Sequence, residues 1–279
     1  MNAISRSFEI FKASLEVLKK DKEILLFPIL SGTFTVVAFL LLAFGGWVTG
    51  FFAAIARQEG LDESARILGY AALFVWYFVS WFIVLFFNTA LVACARIRME
   101  GGDPVTADGF KAAMDNLGAI AMWAAVSATV GVILQVIADR MKGLGDILKG
   151  LLGAAWSIAT FFIVPVLIFE KRSLGDSIKQ STRLVKATWG EALTAHVGVG
   201  LVSFLISIPA VAFPILGGVL FGGMGVVAGL GIMILWWLGV AILSAALTGI
   251  FRTGLYLYAT KGEVPSGLPA GLVKGAFTQ

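Results

Sequence analysis

The sequence predicts an all-α fold: a polytopic transmembrane helical bundle of about six spans, with amphipathic helices at the cytoplasmic surface. Mean hydropathy over the 279 residues is +0.93, and 59% of residues are hydrophobic while only 14% are charged. A soluble domain carries far more polar surface. The charges fall in short clusters between apolar runs, and these runs reach the roughly 20 residues that a spanning helix needs.

Six apolar runs are long enough to cross a bilayer. We expect spans at residues 25–55, 68–95, 117–138, 148–169, 192–213 and 226–259. They form one transmembrane domain over residues 24–260, between an amphipathic N-terminal helix (1–23) and a C-terminal tail (261–279). The first 23 residues are charged throughout, which is not the pattern of a cleavable signal peptide.

The uncharged segment 214–231 has three interpretations: a tight loop, a re-entrant segment or an additional short span. Lipid-exposed irregular backbone is strongly unfavourable, so a segment that dips into the bilayer must pack against protein. The surrounding charges favour six spans, because a seventh would place the C-terminal tail outside.

Lysine and arginine are divided unevenly between alternate connections. Sixteen lie in the N-terminal segment, the loops after spans two and four, and the C-terminal end, whereas five lie in the other connections. The positive-inside rule therefore predicts that both termini are cytoplasmic. The net charge of +4 is explained by topology and by contact with anionic lipid headgroups, and nucleic acid is not an expected partner.

Two segments have the pattern of helices that lie at a membrane surface. Near the N-terminus, apolar residues recur at helical spacing: Ile4, Phe8, Phe11, Leu15 and Leu18. Between spans four and five, Ser173 and Asp176 form a capping pair that marks a helix start. Its apolar residues (Leu174, Ile178, Val185 and Trp189) share one side.

The cations of both helices are the candidate binding residues. A basic surface helix with a tryptophan is typical of interfacial adsorption. Ordinary anchoring and a surface that sorts lipids or binds a partner both remain open. The residues expected to face lipid or a partner are Lys12, Lys19, Lys20, Lys179, Arg183, Lys186 and Trp189.

Glycine-rich pairs predict close helix packing. The chain has 33 glycines, and the expected packing residues are Gly218, Gly222, Gly225 and Gly229. Small residues four apart let helix backbones approach closely in lipid. Packing within one chain and a homo-oligomer interface are both compatible with this pattern.

No pattern of residues indicates catalysis, a metal or a cofactor. The spans carry almost no ionisable residue at their centres, and Cys94 is the sole cysteine, which excludes an internal disulfide. The sole histidine, His196, lies near an interface and is expected to be a polar anchor. No metal-ligating or nucleophile motif is present, so we expect a non-enzymatic protein without catalytic, metal-binding or cofactor-binding residues.

Four segments resemble a known family: KKDKEILLFPILSG, MEGGDPVTADGF, AAWSIATFFIVPVLIFEKRSLGDSIKQSTRLVKATWGEAL and LYLYATKGEVP. Together they are similar to an uncharacterised family of prokaryotic six-span integral membrane proteins, a domain of unknown function. Residues 160–195 also resemble the membrane domain of some glycerophosphodiester phosphodiesterases, without the catalytic domain. The resemblance implies a six-span protein of the prokaryotic inner membrane and implies no activity.

These observations lead to one principal functional expectation and two alternatives. We expect a membrane scaffold or organiser that acts through its basic amphipathic helices, with anionic lipids, a second copy or another membrane protein as partner. The first alternative is a channel or transporter for a small or lipidic solute, with Asn88 and Gln135 as polar candidates. A lipid-active enzyme is a more distant alternative, since only Glu170, Glu191 and His196 suggest a polar cluster.

Overall fold

The computed structural model describes residues 3–48, 63–141, 145–187, 199–262 and 264–267, and within these ranges it contains helices and no strand. The predicted all-α class is therefore confirmed. Five helical segments are long and apolar enough to cross a membrane: residues 22–48, 67–99, 117–140, 145–170 and 199–261. The first four coincide with the first four predicted spans, although residues 49–55 lie outside the described part.

The helices are numbered in chain order. One 3-10 turn (Lys22–Leu25) ends directly before residue 26, and another (Ile208–Val211) follows helical residues 199–207. The α-helices are α1 (Ala3–Lys20), α2 (Leu26–Val48), α3 (Glu63–Met99), α4 (Thr106–Asp115), α5 (Leu117–Arg140), α6 (Gly145–Ala159), α7 (Ile163–Glu170), α8 (Leu174–Ala187) and α9 (Ala212–Lys261).

The chain divides into two compact units. The terminal unit comprises residues 1–29, 91–109 and 183–279, and the central unit comprises residues 30–90 and 110–182. In the central unit, α2 and α3 pack antiparallel through aromatic pairs. Phe34 lies against Phe87 and Phe39 against Trp76, with ring centroids 5.6 and 5.5 Å apart. Such offset pairs add to the stabilisation that apolar packing gives.

The predicted fourth span is a broken helix rather than a continuous one. Helix α6 ends at Ala159, and α7 begins at Ile163 after a three-residue turn, in which the Phe161 N–H bonds to Ile158 rather than one residue further back. The α6 part packs against α5, where the rings of Trp123 and Trp156 stack at 5.5 Å. The α7 part is buried from Ile163 to Ile168. After α7, Lys171 adopts a left-handed conformation (φ 47°) that redirects the chain toward α8.

In the terminal unit, residues 199–261 form a helical hairpin that reverses direction at Gly222, where φ is 64° and ψ is −148°. A side chain at this φ is strained, so glycine suits the reversal. The indole N–H groups of Trp236 and Trp237 donate to the carbonyl oxygens of Ile206 and Ser207 at 3.0 and 3.2 Å. The contacts of Gly217 with Gly225 and of Phe213 with Gly229 show that the two arms run antiparallel, and the indole hydrogen bonds fasten them together.

The hairpin gives the backbone course of residues 214–231, for which the sequence left three interpretations. This segment is the closed end of the hairpin: the first arm ends at Phe221 and the second arm begins at Gly223. The helical residues continue past the predicted end of span five at Phe213 and begin again before the predicted start of span six at Val226. Both arms stay helical up to the turn, because the glycines near the turn let the two backbones touch.

Candidate functional site

Helix α8 begins at the predicted capping pair. The hydroxyl of Ser173 donates to Oδ2 of Asp176 at 2.6 Å, and the backbone N–H of Asp176 donates to Oγ of Ser173 at 3.3 Å. This arrangement satisfies polar groups in the first turn of the helix and confirms the predicted cap. It fixes where α8 starts and therefore which side chains it presents on each face.

The buried face of α8 is centred on two serines, Ser177 and Ser181, both fully buried. The Ser181 hydroxyl accepts the Phe162 N–H at 3.1 Å and donates to the Ala159 carbonyl at 2.8 Å. Both backbone groups belong to the break between α6 and α7, and a break leaves such groups without their helical partners. One side chain of α8 thus completes the hydrogen bonding of the broken span.

The expected apolar side of α8 was only partly correct. Val185 is buried, but Leu174 and Ile178 are only half-buried, and Trp189 lies outside the described residues. The serines were missed because they are polar. Their spacing of four residues is a small-x-x-x-small signal that could have identified this face.

The opposite face of α8 is cationic. Lys179, Arg183 and Lys186 are all exposed, as is the side of the helix between them. Within the part of the chain that the structure describes, none of the three forms an ion pair. They lie on a helix whose other face is held by Ser181.

Helix α1 carries the other predicted cations. Lys12, Lys19 and Lys20 are exposed. Helix α1 packs against α9, and its buried residues include Ile10, Ala13 and Val17, which lie off the predicted apolar stripe, and Leu18, which belongs to it. This buried face was not predicted, because Ala13 and the neighbouring Ser14 make it a weak apolar pattern.

A cluster of ion pairs joins the ends of three helices in the terminal unit. The Arg98 guanidinium, at the end of α3, donates to both carboxylate oxygens of Asp21 and to Asp103. Asp21 follows α1 directly and its residue exposure is 8%. A bidentate ion pair of this kind fixes the relative orientation of the two side chains as well as contributing to stability. No local pattern predicts this pair, because Asp21 and Arg98 are 77 residues apart.

The neighbouring Glu100 binds the end of α9. Its carboxylate accepts hydrogen bonds from Lys261 at 2.7 Å and from Arg96 at 2.9 Å. Partial burial acts to raise the pKa of the Glu100 carboxyl, but the two cations outweigh it and hold the pKa below its ordinary value. The Ser266 hydroxyl adds a bond to the Met99 carbonyl at 2.9 Å. The start of α2, the end of α3 and the end of α9 therefore lie together.

The expected packing glycines lie at the closed end of the hairpin, in different roles. Gly222 forms the reversal itself. A methyl group on Gly225 would overlap the Gly217 carbonyl, one on Gly229 would overlap the Phe213 carbonyl, and one on Gly218 would crowd the Val226 side chain. Beyond this end the apolar surface is open: Phe221 is 75% and Met224 86% exposed.

The two polar candidates for a transport path do not meet. Gln135 donates to Asp139 at 2.8 Å, accepts from Lys149, and lies near Tyr70, whose hydroxyl donates to Asp139 at 3.1 Å. Asn88 lies 18 residues further along α3 than Tyr70, which is about 27 Å at helical rise. The polar chain around Gln135 is therefore at a different level of the bundle from Asn88.

The central unit also contains a crevice of about 240 Å³, counting its open mouth. Thr89 and Asn116 are its polar lining residues, and neither Asn88 nor Gln135 contributes to it. The other lining side chains are apolar: Leu85, Ala119, Ile120, Trp123, Val164, Leu167 and Ile168. Among the described residues, no group of three or more His, Cys, Asp or Glu side chains is placed to hold a metal ion.

Comparison with known proteins gives one match. Residues 67–266 match the model of a family of unknown function, DUF6159. No curated protein and no solved structure matches significantly. The match covers α3 to α9 and leaves α1 and α2 outside it, and the local similarity to the phosphodiesterase membrane domain stays a prediction.

Proposed function

We propose that this chain, which belongs to the DUF6159 family of unknown function, is a non-enzymatic integral membrane protein. It organises lipid at the cytoplasmic face of a prokaryotic inner membrane. Its cationic helix α8 binds anionic headgroups and concentrates them around the bundle. The protein is a scaffold in the sense that it presents a fixed basic surface to lipids or to a membrane partner.

The anchoring of α8 is the observation that carries this proposal. Ser181 joins α8 to the broken span through two hydrogen bonds, while Lys179, Arg183 and Lys186 point away from the buried serines and are exposed. A cationic face that is held rigid loses less conformational entropy when it binds than a flexible basic loop would lose.

The charge distribution supports the cytoplasmic assignment. Sixteen of 21 lysines and arginines lie in the connections assigned to one side. The ion pairs Asp21–Arg98 and Glu100–Lys261 bring the start of the first span together with the ends of the second and last. An even number of crossings, six, accounts for both observations, because the hairpin returns the chain to the face it left.

The expected strength of lipid binding follows from the number of cations. Each juxtamembrane basic residue contributes about 1 kcal/mol of attraction to an anionic membrane. Three act together on α8, which gives roughly a hundredfold preference in affinity at 1.4 kcal/mol per tenfold. The preference should weaken at high salt, because exposed charges are screened.

Lipid retention in nanodiscs tests the proposal. The protein is incorporated with equal amounts of anionic and zwitterionic lipid, and the lipids that stay bound after release are counted by native mass spectrometry. We expect enrichment of anionic lipid around the unchanged protein, loss of that enrichment in Lys179→Gln/Arg183→Gln/Lys186→Gln, and its retention in the charge-conserving control Lys179→Arg/Arg183→Lys/Lys186→Arg. Equal retention of both lipids by the unchanged protein, or unchanged enrichment in the glutamine variant, would overturn it.

A channel or transporter is the second candidate, and the polar chain through Gln135 favours it. Polar side chains inside a membrane helix are costly and are common along solute paths. Flux of small solutes across proteoliposomes tests this candidate. A flux that Gln135→Leu abolishes and Asn88→Leu leaves intact would support transport over a scaffold, whereas no flux for any of a panel of small solutes would remove the candidate.

A further inference from the structure

Helix α1 has three distinct faces rather than the two of an ordinary amphipathic helix. One face packs on α9 and includes Ile10 and Val17. A second is apolar and open: Phe8 is 48% exposed, and Phe11 and Leu15 are half-buried. The third is charged and exposed, and consists of Glu9, Lys12, Glu16, Lys19 and Lys20. Ile4 lies outside the residues whose side chains the structure describes.

We infer that the apolar face of α1, formed by Phe8, Phe11 and Leu15, is a lipid-binding surface that lies in the headgroup region of an anionic bilayer at a fixed rotation of the helix. The inference deepens the proposed function, since it assigns lipid as the partner of a second helix. The two helices differ in the force that binds lipid: α8 binds through charge, whereas α1 binds through apolar burial together with charge.

The order of side chains around α1 is the first argument. At about 100° per residue, Lys19 and Lys12 follow Phe8 around the helix by about 20° and 40°. Glu16 and Glu9 follow at about 80° and 100°, on the side farthest from Phe11. Beside the apolar face the order is thus two lysines and then two glutamates, with Lys20 beyond the glutamates at about 120°. This order places Lys12 and Lys19 at headgroup level and the carboxylates in water. Lysine stems can cover apolar surface while the ammonium group stays in the polar layer.

The attachment of α1 to the bundle is the second argument. Only Asp21 and the 3-10 turn Lys22–Leu25 separate α1 from α2, which starts at Leu26. The end of α1 therefore lies within about two turns of a membrane boundary. Lipid at this boundary is therefore the nearest ligand for an apolar face on α1.

The fixed rotation of α1 is the third argument. The buried residues Ile10, Ala13 and Val17 hold one face against the protein, and the Asp21–Arg98 pair holds the end of the helix. A helix held at two points cannot turn its apolar face toward another surface without breaking buried packing. The lipid-facing stripe is therefore present before lipid arrives, unlike the stripe of a peptide that folds on the membrane.

Depth measurement with single labels tests the inference. An environment-sensitive fluorophore is attached to Phe8→Cys, Phe11→Cys or Glu16→Cys in the full chain. The native Cys94 is buried and serves unchanged in one series, and Cys94→Ser gives a second series in case the native thiol reacts. The labelled proteins are placed in vesicles with or without anionic lipid, and quenching by a lipid-borne quencher and by an aqueous quencher is compared.

The expected result is selective quenching. The lipid-borne quencher should act on the labels at positions 8 and 11, and the aqueous quencher on the label at position 16. Aqueous quenching at all three positions would overturn the inference, and so would protection of positions 8 and 11 from both quenchers, which indicates a protein partner or a second copy. Lipid quenching at position 11 without anionic enrichment around α8 would support this inference while contradicting the proposed function.

Discussion

Arg98 binds Asp21 through two nitrogen atoms, and this pair ties the end of α3 to the junction between α1 and α2. Asp21 is almost completely buried, with a side-chain exposure of 7%. A carboxylate this deeply buried has few alternative hydrogen-bond donors. The pair with Arg98 therefore determines where the end of α1 lies.

Replacement of Arg98 by glutamine should destabilise the fold strongly. It leaves the Asp21 carboxylate buried without its cation, and loss of one partner of a buried pair costs about 3 to 5 kcal/mol. Thermal unfolding in detergent should show a large loss of melting temperature. Arg172→Gln is the matched control, since the Arg172 side chain is 49% exposed in its pair with Glu170, and it should have little effect. A double variant Asp21→Asn/Arg98→Gln that is no more stable than Arg98→Gln would contradict the coupling.

The Glu100 carboxylate should give the terminal unit an acid-sensitive contribution to stability. Because its cations lower the folded-state pKa, the contribution is complete above the ordinary glutamate pKa and disappears as pH falls through the lowered value. Melting temperatures across the acid range should therefore fall less steeply in Glu100→Gln than in the unchanged protein. Parallel acid profiles for the two proteins would show that the contacts with Lys261 and Arg96 carry no stability.

A methyl group at the closed end of the hairpin should separate its arms. Gly225→Ala would overlap the Gly217 carbonyl, and backbone cannot move aside as a flexible side chain can. Forced overpacking costs about 1 to 3 kcal/mol or more. Gly239→Ala is the control on the same arm, because a methyl group there meets no atom within 4 Å, and it should be neutral or slightly stabilising. Equal melting temperatures for the two variants would contradict the hairpin packing.

Loss of the Ser181 hydroxyl should loosen the break in the fourth span. Ser181→Ala removes a partner from both the Phe162 N–H and the Ala159 carbonyl, at a cost of about 1 to 3 kcal/mol for buried groups. Hydrogen exchange at Phe162 should accelerate. Thr129→Ala is the control, since the Thr129 hydroxyl bonds to Ala125 one turn back in a continuous helix. Unchanged exchange at Phe162 would mean that α8 does not hold the break.

The sequence predicted those features that depend on local composition. Apolar runs gave the first four spans, and the Ser173–Asp176 pair gave the start of α8, because each signal lies within a few neighbouring residues. The features it missed depend on distant partners. The break at residues 160–162 is completed by Ser181, and the Asp21–Arg98 pair joins residues 77 positions apart.

The hairpin was predicted only in part. The glycines around 217–229 indicated close packing, but the sequence could not say whether they pack within one chain or between copies. The reversal at Gly222 brings Gly217 onto Gly225, so these contacts are within the chain. The small-residue signal is the same in both arrangements, because it reports only how near two backbones can come.

Labelling from each side of the membrane tests the central claim, that the cationic helices α1 and α8 face one compartment. Lys20→Cys, Lys186→Cys and, in the opposite connection, Asp146→Cys are treated with a membrane-impermeant thiol reagent in intact cells and in inverted membrane vesicles. The account predicts reaction at positions 20 and 186 in inverted vesicles only, and at position 146 in intact cells only. Reaction of positions 20 and 186 from opposite sides would contradict it.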